Sequence, residues 1–359
     1  MQLKLDKDKT YAIALEGGGA KGSYEIGVWA ALEEAGIKFN AVSGSSVGAL
    51  NGAMMVMGDL SRAIDCWKDI RLSRIMNLDE ERERDLSRLL NNQAELEDIP
   101  ELLPQALELL KNRGLDVAPL REWVREIADV ERIKNSPVEL FITTVDLSER
   151  KALEIKVNEL PEEQICDMLL ASAYHPTFRL EKLGGKFYAD GGIADTIPIH
   201  ALVENGYRDI IAVRIPGKGR ERRFRMPEDV NIAYIEPTRD LGHVLNFDAG
   251  QARRNLGIGY MDAKRLLYGL YGKNYYIDRS LSEREALSRL LDIIPRDEDK
   301  PLRHFCERRL PRYARRLDVG GGDYYELLIA CLEQAAEKEK LEPLKLYTDR
   351  QLLKLLGFE

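Results

Sequence analysis

The chain has 359 residues, of which 44% are hydrophobic and 32% charged, the composition of a globular protein with a large core. Its 53 lysines and arginines stand against 61 acidic residues, so the net charge of −8 excludes a general affinity for nucleic acid. The four cysteines lie far apart without a C-x-x-C motif, which argues against a metal site or a disulfide framework. The N-terminus has no apolar segment typical of a secretory signal, and the sequence therefore predicts a cytoplasmic protein.

The first predicted elements are a strand, a glycine loop and a helix. Thr10–Leu15 is an apolar run typical of a buried strand, and Ser23–Ala35 has helical periodicity. The loop between them matches G-x-G-x-x-G at Gly17, Gly19 and Gly22. A dinucleotide-binding fold would also need an acidic residue about 20 positions later, where this chain has serines. Alternatively, backbone N–H groups of a glycine loop ahead of a helix can bind an oxyanion.

A second glycine motif follows the next predicted strand, Phe39–Ser43. Gly44-Ser45-Ser46-Val47-Gly48 is a G-x-S-x-G sequence placed between this strand and an apolar helical run, the context of a nucleophile elbow. Ser46 is the predicted nucleophile, and a Gly/Ser loop that only caps a helix is the alternative. The twenty uncharged residues Phe39–Gly58 have the length of a membrane span, but a strand, a turn and a helix explain their Asn, Ser and Gly content.

Helix-forming residues dominate from Asp59 to Asn135. The charged run Asp79–Asp85 and the segments Leu86–Leu90 and Leu102–Leu110 predict three or four amphipathic helices inserted between the second and third strands. Charged runs of this kind usually form solvated faces. In a lipid hydrolase, the insertion could also form one wall of an acyl-chain site.

The sheet is predicted to resume after the insertion. We expect strands at Val138–Asp146, Ala152–Val157, Lys186–Ala189, Asp209–Ile215 and, at an edge, Asn231–Ile235, with a helix at Pro161–Ala171. Ala171–Phe178 is predicted to be a loop. The strand at Lys186–Ala189 leads into Asp190-Gly191-Gly192, which by itself is typical of a turn.

The C-terminal third is predicted to be helical to its end. The expected helices are Ala249–Leu270, Ser282–Ile294, Leu302–Leu317, Asp323–Leu341 and Asp349–Leu356. We therefore predict a domain at 10–240 and a C-terminal helical subdomain at 241–359. Leu302–Leu317 contains six arginines and one glutamate, and its apolar residues recur at helical spacing. It is a candidate for contact with an anionic membrane, although Pro311 should interrupt the helix and its apolar stripe could instead pack on a neighbour.

Three motifs taken together resemble the patatin-like phospholipase family: G-G-G-A-K-G at 17–22, G-S-S-V-G at 44–48 and D-G-G at 190–192. The resemblance covers about residues 10–215. It implies a three-layer α/β/α core and a Ser/Asp dyad that hydrolyses acyl esters of lipids. Because the sequence has neither Cys/His ligand spacing nor a calcium-binding loop, we expect no metal and no organic cofactor. Carried over by position, Ser46 is the nucleophile and Asp190 the base. The resemblance also implies that the backbone of Gly17, Gly18 and Gly19 forms the oxyanion hole. The supporting motif positions are Lys21, Gly22, Gly44, Gly48, Gly191 and Gly192.

One position departs from the family pattern, and the histidines leave an alternative open. Many members have Asn six residues after the dyad Asp, where this chain has Thr196. The chain order also permits a Ser, Asp, His triad with His200 or His243. A dyad requires an unusually basic carboxylate, so it predicts that Asp190 is partly desolvated. His175, in the predicted loop before Pro176, is a candidate for substrate contact.

These observations predict a cytoplasmic or peripheral serine acyl hydrolase of phospholipids or lysophospholipids. The expected partner is a lipid or acyl-ester substrate, an anionic membrane is a candidate partner, and no nucleic acid is expected. A carboxylesterase or thioesterase of soluble acyl substrates would use the same residues. A non-catalytic protein that binds nucleotides or lipids is the third interpretation. The sequence makes no prediction of head group, chain length or oligomeric state.

Overall fold

The computed structural model describes residues 3–77, 114–217, 219–296, 299–320 and 323–358. The chain divides into two compact units, one of Leu5–Ala263 and one of Met1–Lys4 with Lys264–Glu359. The predicted segments Asp79–Asp85, Leu86–Leu90 and Leu102–Leu110 lie outside the described residues. The boundary near 240 between a domain at 10–240 and a C-terminal helical subdomain at 241–359 stays a prediction.

The first unit is built on a mixed sheet of seven strands in the described residues. These are β1 Thr10–Leu15, β2 Lys38–Ser45, β3 Glu139–Asp146, β4 Lys151–Lys156, β5 Tyr188–Asp190, β6 Asp209–Val213 and β7 Asn231–Ile235. The strand order is β4-β3-β2-β1-β6-β7, and β5 also pairs with β3. The neighbouring pairs β3-β2, β2-β1, β1-β6 and β6-β7 are parallel, whereas β4 and β5 run antiparallel to β3. The predicted strands are confirmed, including the edge position of β7.

Helices cover both faces of this sheet. They are α1 Ser23–Glu34, α2 Val47–Val56, α3 Leu60–Lys68, α4 Ala118–Ile127, α5 Val130–Lys134, α6 Glu162–Ser172, α7 Ile199–Glu204 and α8 Ala249–Tyr268, of which the last continues into the second unit. Ala12 and Ala14 of β1 face a cluster that includes Leu202 of α7. Leu15, at the opposite parity, faces α2 near Gly48 and Gly52. This alternation along one strand produces the three layers.

The second unit contains helices and a short sheet. Its elements are β8 Tyr276–Asp278, α9 Glu283–Ile293, α10 Leu302–His304, a π-helical turn at Phe305–Arg309, α11 Leu310–Arg316, α12 Tyr324–Lys338, β9 Leu346–Thr348 and α13 Asp349–Leu355. β8 and β9 pair in parallel. The prediction of helices to the end of the chain is therefore wrong at these strands. Both are three-residue segments containing a tyrosine and a β-branched residue, and so short a run has no periodicity to detect.

The π-helical turn explains how the chain continues through Pro311. In an α-helix, Phe305 and Leu310 would lie on different faces, because five residues correspond to about 1.4 turns. The π turn brings both onto the face that packs in the core of this unit together with Ala314. Leu310 N donates to Phe305 O across the turn, and Pro311 then occupies the first turn of α11, where a missing N–H is tolerated. The interruption predicted at Pro311 is thus a change from the π-helical turn to the α-helix α11.

No helix in the described part of the chain combines the length and the apolar composition needed to span a membrane. The twenty uncharged residues Phe39–Gly58 fold as β2, a turn at Ser46 and α2. The predicted strand, turn and helix is therefore confirmed.

Candidate active site

Ser46 lies in a strained turn between β2 and α2. Its backbone has φ 54° and ψ −125°, a conformation that a non-glycine residue rarely adopts. Close approach of the flanking backbone requires glycine: a Cβ on Gly44 would lie 2.2 Å from Gly48 O, and one on Gly48 would lie 2.7 Å from Leu15 O. The turn thus ends a buried strand and begins a helix at the predicted nucleophile.

The register of the sheet brings Asp190 to Ser46. Ser45 at the end of β2 pairs with Thr143 of β3, and the next residue of β3, Thr144, pairs with Asp190 at the end of β5. Although β5 runs antiparallel to β3, its last residue reaches the edge where β2 ends. Ser46 Oγ donates a hydrogen bond of 2.6 Å to Asp190 Oδ2. Two residues 144 positions apart in the chain are therefore in direct contact.

Asp190 has few other partners. Its Oδ1 accepts a hydrogen bond of 2.8 Å from Gly192 N, and Asp190 as a whole is only 7% exposed to solvent. Burial raises the pKa of Asp190 to about 6, although the hydrogen bonds from Ser46 and Gly192 act in the opposite direction. The predicted desolvation of this carboxylate is confirmed. The close turn after Asp190 requires glycine at position 191, since a Cβ there would lie 2.1 Å from Thr143 O.

The glycine loop after β1 lies beside Ser46. Gly17 N donates to Thr196 O at 2.8 Å, so this N–H is already used. The N–H groups of Gly18 and Gly19 have no hydrogen-bond partner among the described residues. Gly19 has φ 56°, and a Cβ there would lie 2.1 Å from Val244 O. Of the three predicted oxyanion donors, the loop therefore leaves Gly18 and Gly19 available.

Charged side chains hold this loop from outside the cavity. Glu16, which is buried, accepts from Ile215 N at 2.8 Å. Lys21 Nζ donates to Pro216 O at 2.8 Å, and it is absent from the described cavity lining. Lys21 thus ties the glycine loop to the segment after β6. Gly22 packs against Val47, because a Cβ there would lie 2.6 Å from Val47 Cγ2.

A cavity of about 110 Å³ opens at Ser46 and Asp190. Its apolar lining comes from α2, the insertion between β2 and β3, the loop after α6 and the segment before α8. In the described residues this lining is Val47, Leu50, Ile75, Met76, Leu120, Trp123, Ala173, Phe178, Val244, Leu245 and Phe247. The insertion between β2 and β3 therefore contributes one wall. No lysine or arginine belongs to the lining within the described residues.

The histidines separate into different environments. His175 belongs to the cavity lining, whereas His200 does not. His200 Nδ1 lies 3.2 Å from Glu154 Oε1 and its Nε2 lies 2.9 Å from Glu204 Oε1. These three side chains could together approach a metal ion, since their ligand atoms lie within 4.8 Å of one another. Each ring nitrogen of His200 thus faces a carboxylate oxygen and lies away from the cavity of Ser46 and Asp190.

The contacts of Ser172 and of the Thr196 backbone are not predicted from the sequence. Ser172 Oγ accepts from Ser46 N at 3.1 Å and donates to Thr143 O at 2.7 Å, which ties the nucleophile turn to β3. The sequence predicts a loop at Ser172, but α6 extends to it. Thr196 contributes its backbone carbonyl to Gly17, and no hydrogen bond joins its side chain to Asp190. No sequence signal marks Ser172, because its role depends on how α6 packs on β3.

A family model described as patatin-like phospholipase matches residues 13–203, a range that contains Ser46, Asp190 and the glycine loop.

Two curated proteins illustrate the sequence similarity. The chain is 25% identical over 206 residues to the uncharacterised NTE family protein Rv1063c of Mycobacterium tuberculosis, covering 57% of this chain and 49% of the relative. It is 48% identical over 46 residues to the lysophospholipase nte1 of Aspergillus terreus, covering 13% of this chain and 3% of the relative. The chain thus spans about half the length of the mycobacterial relative and a small part of the fungal one.

Two solved structures are also similar. VipD from Legionella pneumophila aligns over 97% of this chain and 83% of its own, with 16% identity and a TM-score of 0.42. Full-length ExoU of Pseudomonas aeruginosa, solved in complex with SpcU, gives 96% and 73% coverage, 16% identity and a TM-score of 0.29.

Proposed function

Because this chain belongs to the patatin-like phospholipase family, we propose that it hydrolyses acyl esters of lipids with Ser46 as nucleophile and Asp190 as base. The observation that carries the proposal is the 2.6 Å hydrogen bond from Ser46 Oγ to Asp190 Oδ2. No histidine lies between these two groups, which favours the dyad over the triad. His200 bonds Glu154 and Glu204 instead, and His243 Nδ1 accepts from Leu245 N at 3.2 Å.

The reaction follows from this geometry in two steps. Asp190 Oδ2 takes the proton of Ser46 as Oγ attacks the ester carbonyl carbon, and the N–H groups of Gly18 and Gly19 stabilise the oxyanion. Asp190 then gives the proton to the departing alcohol, which leaves an acyl group on Ser46. Water loses a proton to Asp190, attacks this acyl group and releases the fatty acid as Ser46 recovers its proton. A buried carboxylate with a raised pKa suits these transfers better than a solvated one.

The cavity supports a lipid as the substrate. Its apolar walls can take an acyl chain, and the absence of a cation from its described lining argues against a dinucleotide, whose phosphates would need positive charge. Phospholipids or lysophospholipids are the substrates that we propose. A carboxylesterase or thioesterase would use the same residues on a shorter, soluble acyl group.

Mass spectrometry of a lipid extract incubated with the wild type or with Ser46→Ala tests the proposal. We expect fatty acids and their matching lyso or deacylated products to accumulate only with the wild type. A fluorophosphonate should label Ser46 and no other serine. Labelling without lipid products, but with turnover of soluble esters, would favour the carboxylesterase or thioesterase. Neither labelling nor products would favour the non-catalytic interpretation.

A peripheral contact with anionic membrane is a second part of the proposal, and it concerns the second unit alone. The exposed arginines Arg308, Arg312, Arg315 and Arg316, here called the arginine stripe, follow one another at one- to four-residue steps. They make no ion pair with any described residue, whereas Arg303 pairs with Glu307 at 2.7 Å. The apolar face of the same segment is buried in the unit's core. We therefore propose electrostatic docking on the surface of the bilayer, without insertion of the helix. The predicted cytoplasmic location is part of the same proposal.

Sedimentation with vesicles rich in anionic phospholipid tests the arginine stripe. Each arginine near such a surface contributes about 1 kcal/mol, so Arg308→Glu, Arg312→Glu and Arg316→Glu combined should weaken binding by about 100-fold or more at low salt. The matched control reverses three other exposed cations of the same unit, with Arg284→Glu, Lys338→Glu and Lys354→Glu. Equal binding by both variants, or binding that is indifferent to salt, would contradict the docking proposal without affecting the hydrolase.

A further inference from the structure

His175 is a polar side chain in the wall of an otherwise largely apolar cavity. It lies in the loop between α6 and β5, and the residue before it is joined to the base: Asp190 N donates to Tyr174 O at 2.9 Å. Phe178 N donates to His175 O at 3.0 Å, which closes the loop around the histidine. These backbone hydrogen bonds therefore tie the loop of His175 to Asp190, and both residues line the cavity.

The hydrogen bonds of the ring decide which nitrogen carries the proton. Nδ1 lies 2.9 Å from Thr177 Oγ1 and accepts from Thr177 N at 3.3 Å. A backbone N–H can only donate, so Nδ1 is unprotonated and a neutral ring has its proton on Nε2. Burial lowers the pKa of His175, which keeps the ring neutral near pH 7. Nε2–H has no partner among the described residues.

We propose that His175 Nε2–H donates a hydrogen bond to an oxygen atom on the alcohol side of the substrate ester, in its glycerol or phosphate group. This inference rests on the proposed reaction at Ser46, and it names the residue that selects among esters. The N–H groups of Gly18 and Gly19 serve the carbonyl oxygen, and an acyl chain contains no acceptor. The acceptors that remain for a side-chain donor are the oxygens of the alcohol.

The same geometry argues against a role for His175 as the general base. A base must offer a lone pair to Ser46 Oγ, but Nε2 carries the proton in this tautomer and Nδ1 is used by Thr177. Asp190 Oδ2 already accepts from Ser46 Oγ. His175 is therefore a donor to the substrate, and its loss should change selectivity more than chemistry.

The test compares three variants on three esters of one acyl chain. His175→Gln can place an amide N–H near the position of Nε2, His175→Asn places one near Nδ1, and His175→Ala places none. The esters are propyl octanoate, 1-octanoylglycerol and 1-octanoylglycerophosphocholine, which share a three-carbon alcohol and differ in its oxygens. Fluorophosphonate labelling of Ser46 serves as the measure of an intact site.

We expect His175→Ala to lose kcat/KM on an oxygenated ester by about 3- to 10-fold more than on the propyl ester, the effect of one hydrogen bond. His175→Asn should behave like His175→Ala, and His175→Gln should recover part of the loss. A loss that first appears with the glycerol ester identifies a hydroxyl as the acceptor, and one that appears only with the glycerophosphocholine ester identifies a phosphate.

Three outcomes would overturn the inference. They are equal losses on all three esters, no loss on any, and a glutamine variant no better than the asparagine one. A loss of fluorophosphonate labelling in all three variants would instead make His175 part of the nucleophile's activation. If the wild type shows no hydrolysis that depends on Ser46, the proposed function itself fails, and the inference fails with it.

Discussion

Two buried aspartates, one in each unit, show opposite ways of placing a carboxylate inside a protein. Asp190 is 7% exposed and has two protein hydrogen bonds to its carboxylate, from Ser46 Oγ and Gly192 N. Asp349 is fully buried, and its carboxylate accepts from both Ser280 N and Ser280 Oγ, from Leu281 N and from Tyr325 Oη.

The difference in donors reverses the direction of the pKa shift. Burial dominates at Asp190 and raises its pKa to about 6. Burial acts in the same direction at Asp349, but the hydrogen bonds from Ser280, Leu281 and Tyr325 together lower its pKa below the ordinary value of 3.8. A buried carboxylate with few donors stays basic, whereas one with many donors is a structural anchor. The comparison therefore separates a group suited to proton transfer from a group suited to stability.

Removal of the Ser46 hydroxyl should have the largest effect on activity. We expect Ser46→Ala to lower kcat by about 10⁴-fold or more on p-nitrophenyl butyrate while the protein stays folded, because the nucleophile is lost. Ser43→Ala is the matched control, since Ser43 is a buried serine of β2, the strand before Ser46, and its hydroxyl has no partner among the described residues. Similar rates for Ser46→Ala and the wild type would remove the basis of the serine mechanism.

Asp190→Asn should lower kcat by about 10² to 10⁴-fold, the usual contribution of a general base. Asp195→Asn is a demanding control, because burial also raises the pKa of Asp195 to about 6, yet its carboxylate accepts from Arg222 N rather than from Ser46. We expect Asp195→Asn, His200→Ala and His243→Ala each to keep substantial activity in the same assay. If a histidine variant lost as much as Asp190→Asn with its fold intact, the triad would replace the dyad.

Asp349→Asn should lower the free energy of unfolding by about 2–3 kcal/mol, because an amide cannot accept from all the donors around it. Urea unfolding measures this change. Asp190→Asn should have little effect on stability or should raise it at pH 7, because it removes a buried charge. Equal destabilisation by both substitutions would show that the number of donors does not distinguish the two sites.

The two aspartates should also respond oppositely to pH. Below pH 6, kcat/KM should fall about tenfold per pH unit as Asp190 becomes protonated, and it should level off above pH 6. Asp190 has a raised pKa, so its contribution to stability is present below about pH 3.8 and is lost as the pH rises through 6. Asp349 has a lowered pKa, so its contribution is present above about pH 3.8 and is lost as the pH falls. A pH–rate profile and unfolding at several pH values check both signs.

Tyr325→Phe removes one donor from Asp349 and should have the smallest effect. The expected loss is about 1 kcal/mol of unfolding free energy, since the other donors remain. Thermal unfolding of Tyr325→Phe beside Asp349→Asn measures it. A loss as large as that of Asp349→Asn would mean that the tyrosine ring, packed edge to face on Tyr271, matters more than its hydroxyl.

The sequence alone determined the family and the main order of the fold. The spacing of the three glycine motifs identified the patatin-like resemblance, and the α/β class with strands β1 to β7 is confirmed. These features are local: a strand, a tight turn and a helix leave their periodicity and their glycines in a few adjacent residues. The catalytic roles of Ser46 and Asp190 remain a proposal, and their side chains are joined by a hydrogen bond.

Only the tertiary structure decided what depends on residues that are far apart in the chain. The pairing of β5 with β3 brings Asp190 to Ser46, and the backbone carbonyl of Thr196 occupies Gly17 N, which leaves Gly18 and Gly19 as donors. The support from Ser172 and the tautomer of His175 likewise depend on packing and on hydrogen bonds. Such contacts have no local signature, because hydrogen-bond partners and desolvation are properties of the folded neighbourhood rather than of a residue's own segment.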